Sequence, residues 1–478
     1  MEKLYRKLES LADTGNYPFH MPGHKRNPES VDGDFLFEKD ITEISGFDDL
    51  HHSREILKEA QERAAKLYEV KETFFSVNGS TAAILAAVSA AVQKGGQILV
   101  GRNCHKSVYN AMYIRDLVPS YIYPQEDPVL GISGGISPAR VETVLDENPE
   151  IQAVLITSPT YDGVVSDVKR IANVAHSHGI PLIVDEAHGA HFKFSNYFPT
   201  SAAELGADLV IQSLHKTLPS LTQTAVLHRC SDMVNRNLLR RFMGIYQSSS
   251  PSYILMGSMD ACIDKMARDG RNMFIKYTEN LEKTRKRLEQ CKYIRLVTPK
   301  AGRDTRIHDF DRSKIILSSY SSSMKGTELQ DILREEFHIE TEMACENYVL
   351  AMTSVGDTEE GFLRLCQAVE EIDRRESLKN TESFLKEERN HIKIGEKKQV
   401  MRIAEALDAP SIFCPLEESV GKISAEFAYL YPPGIPMIAP GEQITGLFVR
   451  NVRRYMEQGI ALEGLCDRTN KTICVVKE

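Results

Sequence analysis

Residues 181–191 read PLIVDEAHGAH, and residues 208–217 read DLVIQSLHKT. Each opens on a short run of Val, Ile and Leu without polar alternation and ends on side chains that carry chemistry. Such runs read as strands buried on both faces, in a sheet covered by helices. Three more, QILVG (97–101), AVLIT (153–157) and TAVLH (224–228), lie in the same stretch, from about residue 55 to 230. A helical period at 54–68 precedes them, an alanine-rich helix follows NGST at 78–81, and a helix-like stretch such as 166–178 falls between two of the runs. The order predicts an α/β fold with a mostly parallel sheet.

In open α/β sheets, ligands bind beyond the carboxyl ends of strands. Asp185 stands at one such end, and Lys216 follows the next, 31 residues later. An acid and an amine facing one crevice match what a pyridoxal phosphate (PLP) site needs. The lysine takes the aldehyde, and the acid keeps the ring nitrogen protonated so that the ring withdraws electrons. Ser213 and His215 flank the lysine as donors for phosphate. A turn-capping Asp or a surface Lys is the commoner meaning of either residue alone. That leaves unexplained His188 and His191 beside Asp185, and a His-Lys pair after a buried strand.

Asn78-Gly79-Ser80-Thr81 opens a helix, where free N–H groups and hydroxyls suit an anion and Gly79 lets the backbone approach it. Taken alone, NGST reads equally as an N-cap. His105, in Asn103-Cys104-His105-Lys106-Ser107, follows strand QILVG and is placed to stack on an aromatic cofactor. His20 and His24 have metal-like types, but two ligands are too few for a metal site, and none is expected.

The chain has 478 residues, enough for two or three domains. Basic and acidic residues number 58 and 67, a net −9 spread along the chain, so a basic footprint for nucleic acid is lacking. Nine scattered cysteines without CxxC spacing argue against disulfides or zinc and for a reducing cytoplasm. No stretch approaches the length of a membrane helix. The expected division is an N-terminal arm (1–30), a PLP-binding major domain (31–270), a small α+β domain (271–375), a charged linker or helix (376–400) and a C-terminal domain (401–478). Residues 271–290 read as a long charged helix.

Six runs occur in a telling order: HMPGHK (20–25), VNGST (77–81), RNCHKS (102–107), SPTYDG (158–163), DEAHGAH (185–191) and SLHKTLPSLTQ (213–223). Together they resemble the bacterial ornithine/lysine/arginine decarboxylases, which share the aspartate-aminotransferase fold (fold type I) of PLP enzymes. YPPGIPMIAPGE (431–442) resembles that family's C-terminal domain. The resemblance implies that Lys216 carries PLP as a Schiff base and that Asp185 pairs with the ring nitrogen. It implies that His105 stacks on one ring face and Ala187 packs on the other. His188 belongs with the cofactor-binding residues, and Ser80, Thr81, Ser213 and His215 with the phosphate. Ser249, in the serine run 248–250, would reach the phosphate of a neighbouring subunit in a homodimer or higher homo-oligomer. The likeness is to the shorter branch without an N-terminal wing domain, associated with arginine decarboxylation and polyamine synthesis.

The implied reaction is decarboxylation of a basic amino acid, arginine favoured over lysine and ornithine. Its alternatives are an aminotransferase or other lyase on the same fold, or a catalytically silent regulatory homologue. The substrate's distal cation calls for a carboxylate, for which Glu342, Glu346 and Glu442 are candidates.

Overall fold

The computed structural model describes residues 2–11, 13, 18–27, 36–124, 132–299, 307–379, 397–430, 434–457 and 462–477. Most of the segment expected as a charged linker or helix, 380–396, lies outside them, as do 431–433 of the YPPGIPMIAPGE run.

Among the described residues, eight strands precede residue 230: β1 (Glu72–Ser76), β2 (Gln97–Gly101), β3 (Val118–Ile122), β4 (Ile151–Thr157), β5 (Val164–Val165), β6 (Leu182–Asp185), β7 (Leu209–Ser213) and β8 (Ala225–Arg229). Seven form one sheet in the order β1-β8-β7-β6-β4-β2-β3, and the short β5 pairs instead with Asp309–Phe310. From β7 to β3 the strands run parallel, while β8 is antiparallel to both neighbours. The apolar runs lack alternation because both faces are buried, in different cores. Ile98, Val100, Leu155, Ile183 and Ile211 enter one hydrophobic cluster, and Leu99, Val154, Ile156, Val184 and Val210 enter another. A one-residue slip would merely exchange two apolar faces, so the tight loops at the strand ends must help to fix register.

A third cluster is built on the helix Tyr253–Leu288, 36 residues long. The expected charged helix at 271–290 is therefore only its second half, and the composition shift near residue 270 falls inside it. Gly257 hid the first half, since glycine weakens a helical reading. Here it admits a close helix crossing: a Cβ at Gly257 would lie 2.8 Å from Leu8 Cδ1 of the N-terminal helix Leu4–Ser10. Asp260 and Asp264, also unlike a buried helix face, answer that same arm. Asp260 accepts from the Leu4 amide (2.8 Å) and from Arg63 (2.6 Å), and Asp264 pairs with Lys3 (2.8 Å).

Beyond the helix lies a four-stranded sheet in the order Met343–Ala344, Tyr348–Met352, Lys314–Ser318, Arg295–Val297, covered by helices Gly326–Glu335 and Glu359–Leu378. The C-terminal part contributes a two-stranded and a three-stranded sheet around its own core of Phe448, Ile438 and Ile473. No helix among the described residues is long and apolar enough to cross a membrane.

Candidate active site

The carboxyl ends of β4, β6 and β7 open into one cavity of about 330 Å³, within the usual range for small-molecule sites. Ser80, Thr81, His105, Asp185, Ala187, His188, Ser213, His215 and Lys216 all line it. Of the sequence-predicted cofactor residues only Ser249 is absent from the wall. It is exposed, and its neighbour Ser248 donates its amide to Asn78 of the same chain at 3.1 Å.

Asn78 precedes the helix Gly79–Ala91 but does not cap it, since its side chain is engaged with Ser248. No acidic residue occupies the helix's first turn, and Gly79 adopts φ +70°. Ser80 Oγ and Ser213 Oγ lie 2.7 Å apart, joining this turn to the end of β7. Oriented amides, two joined hydroxyls and the positive end of a helix are a donor set for phosphate. His215 Nδ1 lies 2.9 Å from the Thr224 carbonyl, to which it donates, so Nε2 becomes a second donor only when the ring is cationic. A bound anion would supply the countercharge.

At the other end Asp185 is buried. Burial pushes its carboxyl above the usual range, while the Lys216 charge and the Ala187 amide, 3.2 Å from Oδ1, pull the other way. A pyridinium N–H would complete that compensation. Neighbouring Glu186 faces away from this role: the Ala202 amide, Ser201 and Gln212 hold it, and burial raises it to about 7. His105 lies where a ring could stack, its Nδ1 fixed by Ser107. Burial first, then Lys216 and Lys106, lower it to about 4, so it is a neutral ring at physiological pH. Two buried oxygens in the wall, Asn103 Oδ1 and Thr157 Oγ1, have no hydrogen-bond partner among the described residues. Orphan polar atoms of this kind await a ligand or water. The donor set, the acid and the amine together fit PLP.

Sequence reasoning missed three wall or backing residues. Asp162, buried, accepts from Tyr348 at 2.7 Å. Tyr161 donates to Glu342 and sets its ring edge-on to His188. Lys314, fully buried at the head of its strand, approaches His188 Nδ1 at 3.0 Å. The structure also separates the three candidate carboxylates. Glu342 lines the cavity. Glu346 pairs with Arg454 at 2.6 Å. Glu442 is buried in a two-point ion pair with Arg102, at 3.0 and 2.9 Å, so neither is open to a substrate. A larger surface cavity of about 540 Å³ is lined by Arg54, Arg229 and Arg236, but its acids are already paired, Glu72 with two of those arginines and Glu62 with Lys58.

Outside the cavity, His24 stacks on Phe37 and pairs with Asp40 at 3.3 Å, and His20 Nδ1 is 2.6 Å from the Met21 carbonyl. All nine cysteines are free thiols. Glu426, Cys466 and Cys474 converge, but both oxygens of Glu426 already accept backbone amides of those cysteines at 2.7 Å.

Residues 2–316 match the description "Orn/Lys/Arg decarboxylase, major domain", and residues 397–462 match its C-terminal domain. The chain belongs to the Orn/Lys/Arg decarboxylase family. An arginine decarboxylase of Bacillus subtilis (strain 168) is 34% identical over 99% of this chain and 98% of its own length. An arginine decarboxylase of Halalkalibacterium halodurans is likewise 34% identical, over 99% and 97%. Among solved structures, the lysine decarboxylase of Francisella novicida superposes with a TM-score of 0.83 at 20% identity, covering 99% of this chain and 81% of its own. An L-threonine transaldolase of Pseudomonas fluorescens, captured in an internal aldimine state, reaches 0.56 at 14%, covering 78% and 81%. The fold is fold type I of PLP enzymes, and family and fold neighbours together imply PLP.

Proposed function

We propose that this protein is a PLP-dependent decarboxylase of a basic amino acid, arginine before lysine or ornithine, giving carbon dioxide and agmatine for polyamine synthesis. The observation that carries the reading is the convergence of an amine, Lys216, a buried acid, Asp185, and a further carboxylate, Glu342, in one cavity. The naming of the full-length Bacillus relatives favours arginine.

PLP on Lys216 would supply an electron sink for the bond that breaks. The protein's residues do the rest. Gly79–Thr81, Ser213 and His215 hold the phosphate, and Asp185 keeps the ring nitrogen protonated. His105 and Ala187 clasp the ring. Glu342, held by Tyr161, meets the substrate's distal cation, where a planar two-point contact would favour guanidinium over ammonium. The departing carboxylate should be bound weakly, because a strong clamp would stabilise the ground state more than the transition state. Lys216 is then placed to return a proton to carbon. Ser249 completes the phosphate site of a second subunit, which makes the working unit a homodimer in the cytoplasm.

Side-by-side kinetics with arginine, lysine and ornithine test this. The expected result is carbon dioxide release with the highest kcat/KM for arginine. A tenfold preference for lysine or ornithine would refute the arginine assignment, and a keto acid in place of carbon dioxide would refute the reaction.

A further inference from the structure

The tight turn between β4 and β5 sends two neighbouring side chains across to the four-stranded sheet, which answers each in kind. Tyr161 donates to Glu342, and Tyr348 donates to Asp162 Oδ1 at 2.7 Å. Each element thus contributes one phenol and one acid. The turn is held by its own backbone. The Gly163 amide donates to the Thr160 carbonyl (2.9 Å), the Thr160 amide to the Val164 carbonyl (2.8 Å) and the Val164 amide to Thr160 Oγ1 (3.0 Å). Gly163 takes φ +101°, a conformation that side chains rarely adopt, and its carbonyl accepts from the Asp311 amide at 2.8 Å. On the other side the Glu342 amide donates to the Leu350 carbonyl at 2.9 Å, on the strand that opens with Tyr348. Backbone therefore sets both carboxylates at fixed places in one cavity wall, Asp162 buried and Glu342 toward solvent.

Neither acid has a counter-ion. Glu346 is paired with Arg454 at 2.6 Å and Asp311 with His191 at 3.1 Å, but among the described residues no cation lies within ion-pair distance of Asp162 or Glu342. The Lys314 amine is turned to His188 Nδ1 at 3.0 Å and acts on both acids only at longer range. With or without its proton, one lysine answers at most one of the two charges. Burial pushes the Asp162 carboxyl above its usual range, against the Tyr348 bond and the Lys314 charge. A buried carboxylate without a partner is costly, and a cation brought into the cavity removes that cost.

We propose that Asp162 is a specificity-determining residue that clamps the substrate's distal guanidinium from the inner side of the cavity, with Glu342 on the outer side. This rests on the reading of the cavity as the site of a basic amino acid. A guanidinium carries five N–H donors in one plane, along more than one edge. One carboxylate takes a parallel pair of them, and a second carboxylate takes donors from another edge. An ammonium gathers three donors at one point, so fewer groups satisfy it and it loses less when one is removed.

Asp162→Asn keeps the size of the side chain and an oxygen for the Tyr348 hydroxyl, and removes the charge. In the holoenzyme, KM for arginine should rise about thirtyfold with kcat within about threefold, because the contact is alike in ground and transition states. KM for lysine should rise by no more than about threefold, so the preference for arginine falls about tenfold. The inhibition constant of agmatine, which keeps the guanidinium and lacks the carboxylate, should rise with the arginine KM. A merely structural Asp162 would lower kcat for both substrates or shift both KM values by one factor, and either result overturns the proposal. If that variant does not fold, Tyr348→Phe decides. Loss of the orienting bond should move the arginine-to-lysine ratio the same way by about threefold, and an unmoved ratio overturns the proposal. Glu342→Gln, measured in parallel, separates the two readings. If it raises the arginine KM and Asp162→Asn does not, this proposal falls alone. If neither variant moves KM or agmatine inhibition, the distal cation is bound elsewhere and both readings fall.

Discussion

Two groups of buried charges lie a few residues apart along the chain and behave oppositely. Arg102 and Glu442 form a closed pair. Besides the two-point contact, Arg102 donates to Tyr109 (2.8 Å) and the Pro436 carbonyl (2.7 Å), and Glu442 accepts from the Ala439 amide (2.8 Å). Burial opposes the charge on Arg102, but Glu442 and its other partners outweigh it and hold its pKa well above the usual value. Three residues on, His105 enters the wall of the cavity that holds Asp185, His188 and Lys216, with Lys314 buried behind it; all four of these last are displaced toward their neutral forms chiefly by burial. A saturated buried pair fixes geometry, here by tying the C-terminal part to the loop that carries His105. An undersaturated group stores the capacity to bind and react.

The sharpest test of that contrast is Lys216→Ala. Turnover should fall at least about a thousandfold, because the covalent attachment point is gone, while the urea midpoint should hold or rise. A large loss of stability would mean that this lysine belongs with the structural charges. Glu442→Gln should do the reverse. Leaving Arg102 buried with half its partner should cost about 3–5 kcal/mol in equilibrium unfolding, with cofactor affinity falling only as far as the His105 loop loosens. Stability within 1 kcal/mol of the wild type would show that the pair is not closed.

Asp185→Asn should retain cofactor but lose on the order of a hundredfold in turnover, since an amide does not hold the ring proton. Glu342→Gln should raise KM for arginine about tenfold with a smaller change in kcat, the mark of a group that binds the distal cation in ground and transition states alike. An equal fall in kcat would move Glu342 into the chemistry.

The smallest effect concerns His105. Its folded pKa, about 4, lies below the usual 6.5. Between those values the unfolded chain takes up a proton that the folded chain does not, so stability present above pH 6.5 is lost as the pH falls toward 4. His105→Phe should flatten that acid limb by on the order of 1 kcal/mol, measured against the wild type in urea at a series of pH values.

What could be read from the sequence was whatever burial on two faces imprints on it. The β4, β6 and β7 runs were legible because both faces are apolar, and Asp185 and Lys216 because each follows such a run directly. Lys314 was not, because a lysine at the head of KIILS looks like the solvated end of a strand, and only the fold places a histidine nitrogen above it. Glu342, Glu346 and Glu442 were indistinguishable by type, and the difference lies in which partners the tertiary structure had already given them. The first half of the long helix was obscured by Gly257, Asp260 and Asp264, three residues whose meaning is set by the N-terminal arm packed against them.

That helix also acts as a spacer of fixed phase. Near Asp260 it grips the arm, and 25 residues later Arg285 donates to the carbonyl of Lys314 at 3.1 Å. At 1.5 Å per residue those two grips stand about 37 Å apart, and each added residue rotates one against the other by about 100°. A single alanine inserted between them, far from any ligand, would swing Arg285 off the strand that carries Lys314. An insertion of seven residues, close to two full turns, would restore the angle while lengthening the span by about 10 Å. Natural variation in length should therefore avoid this helix and gather in the loops.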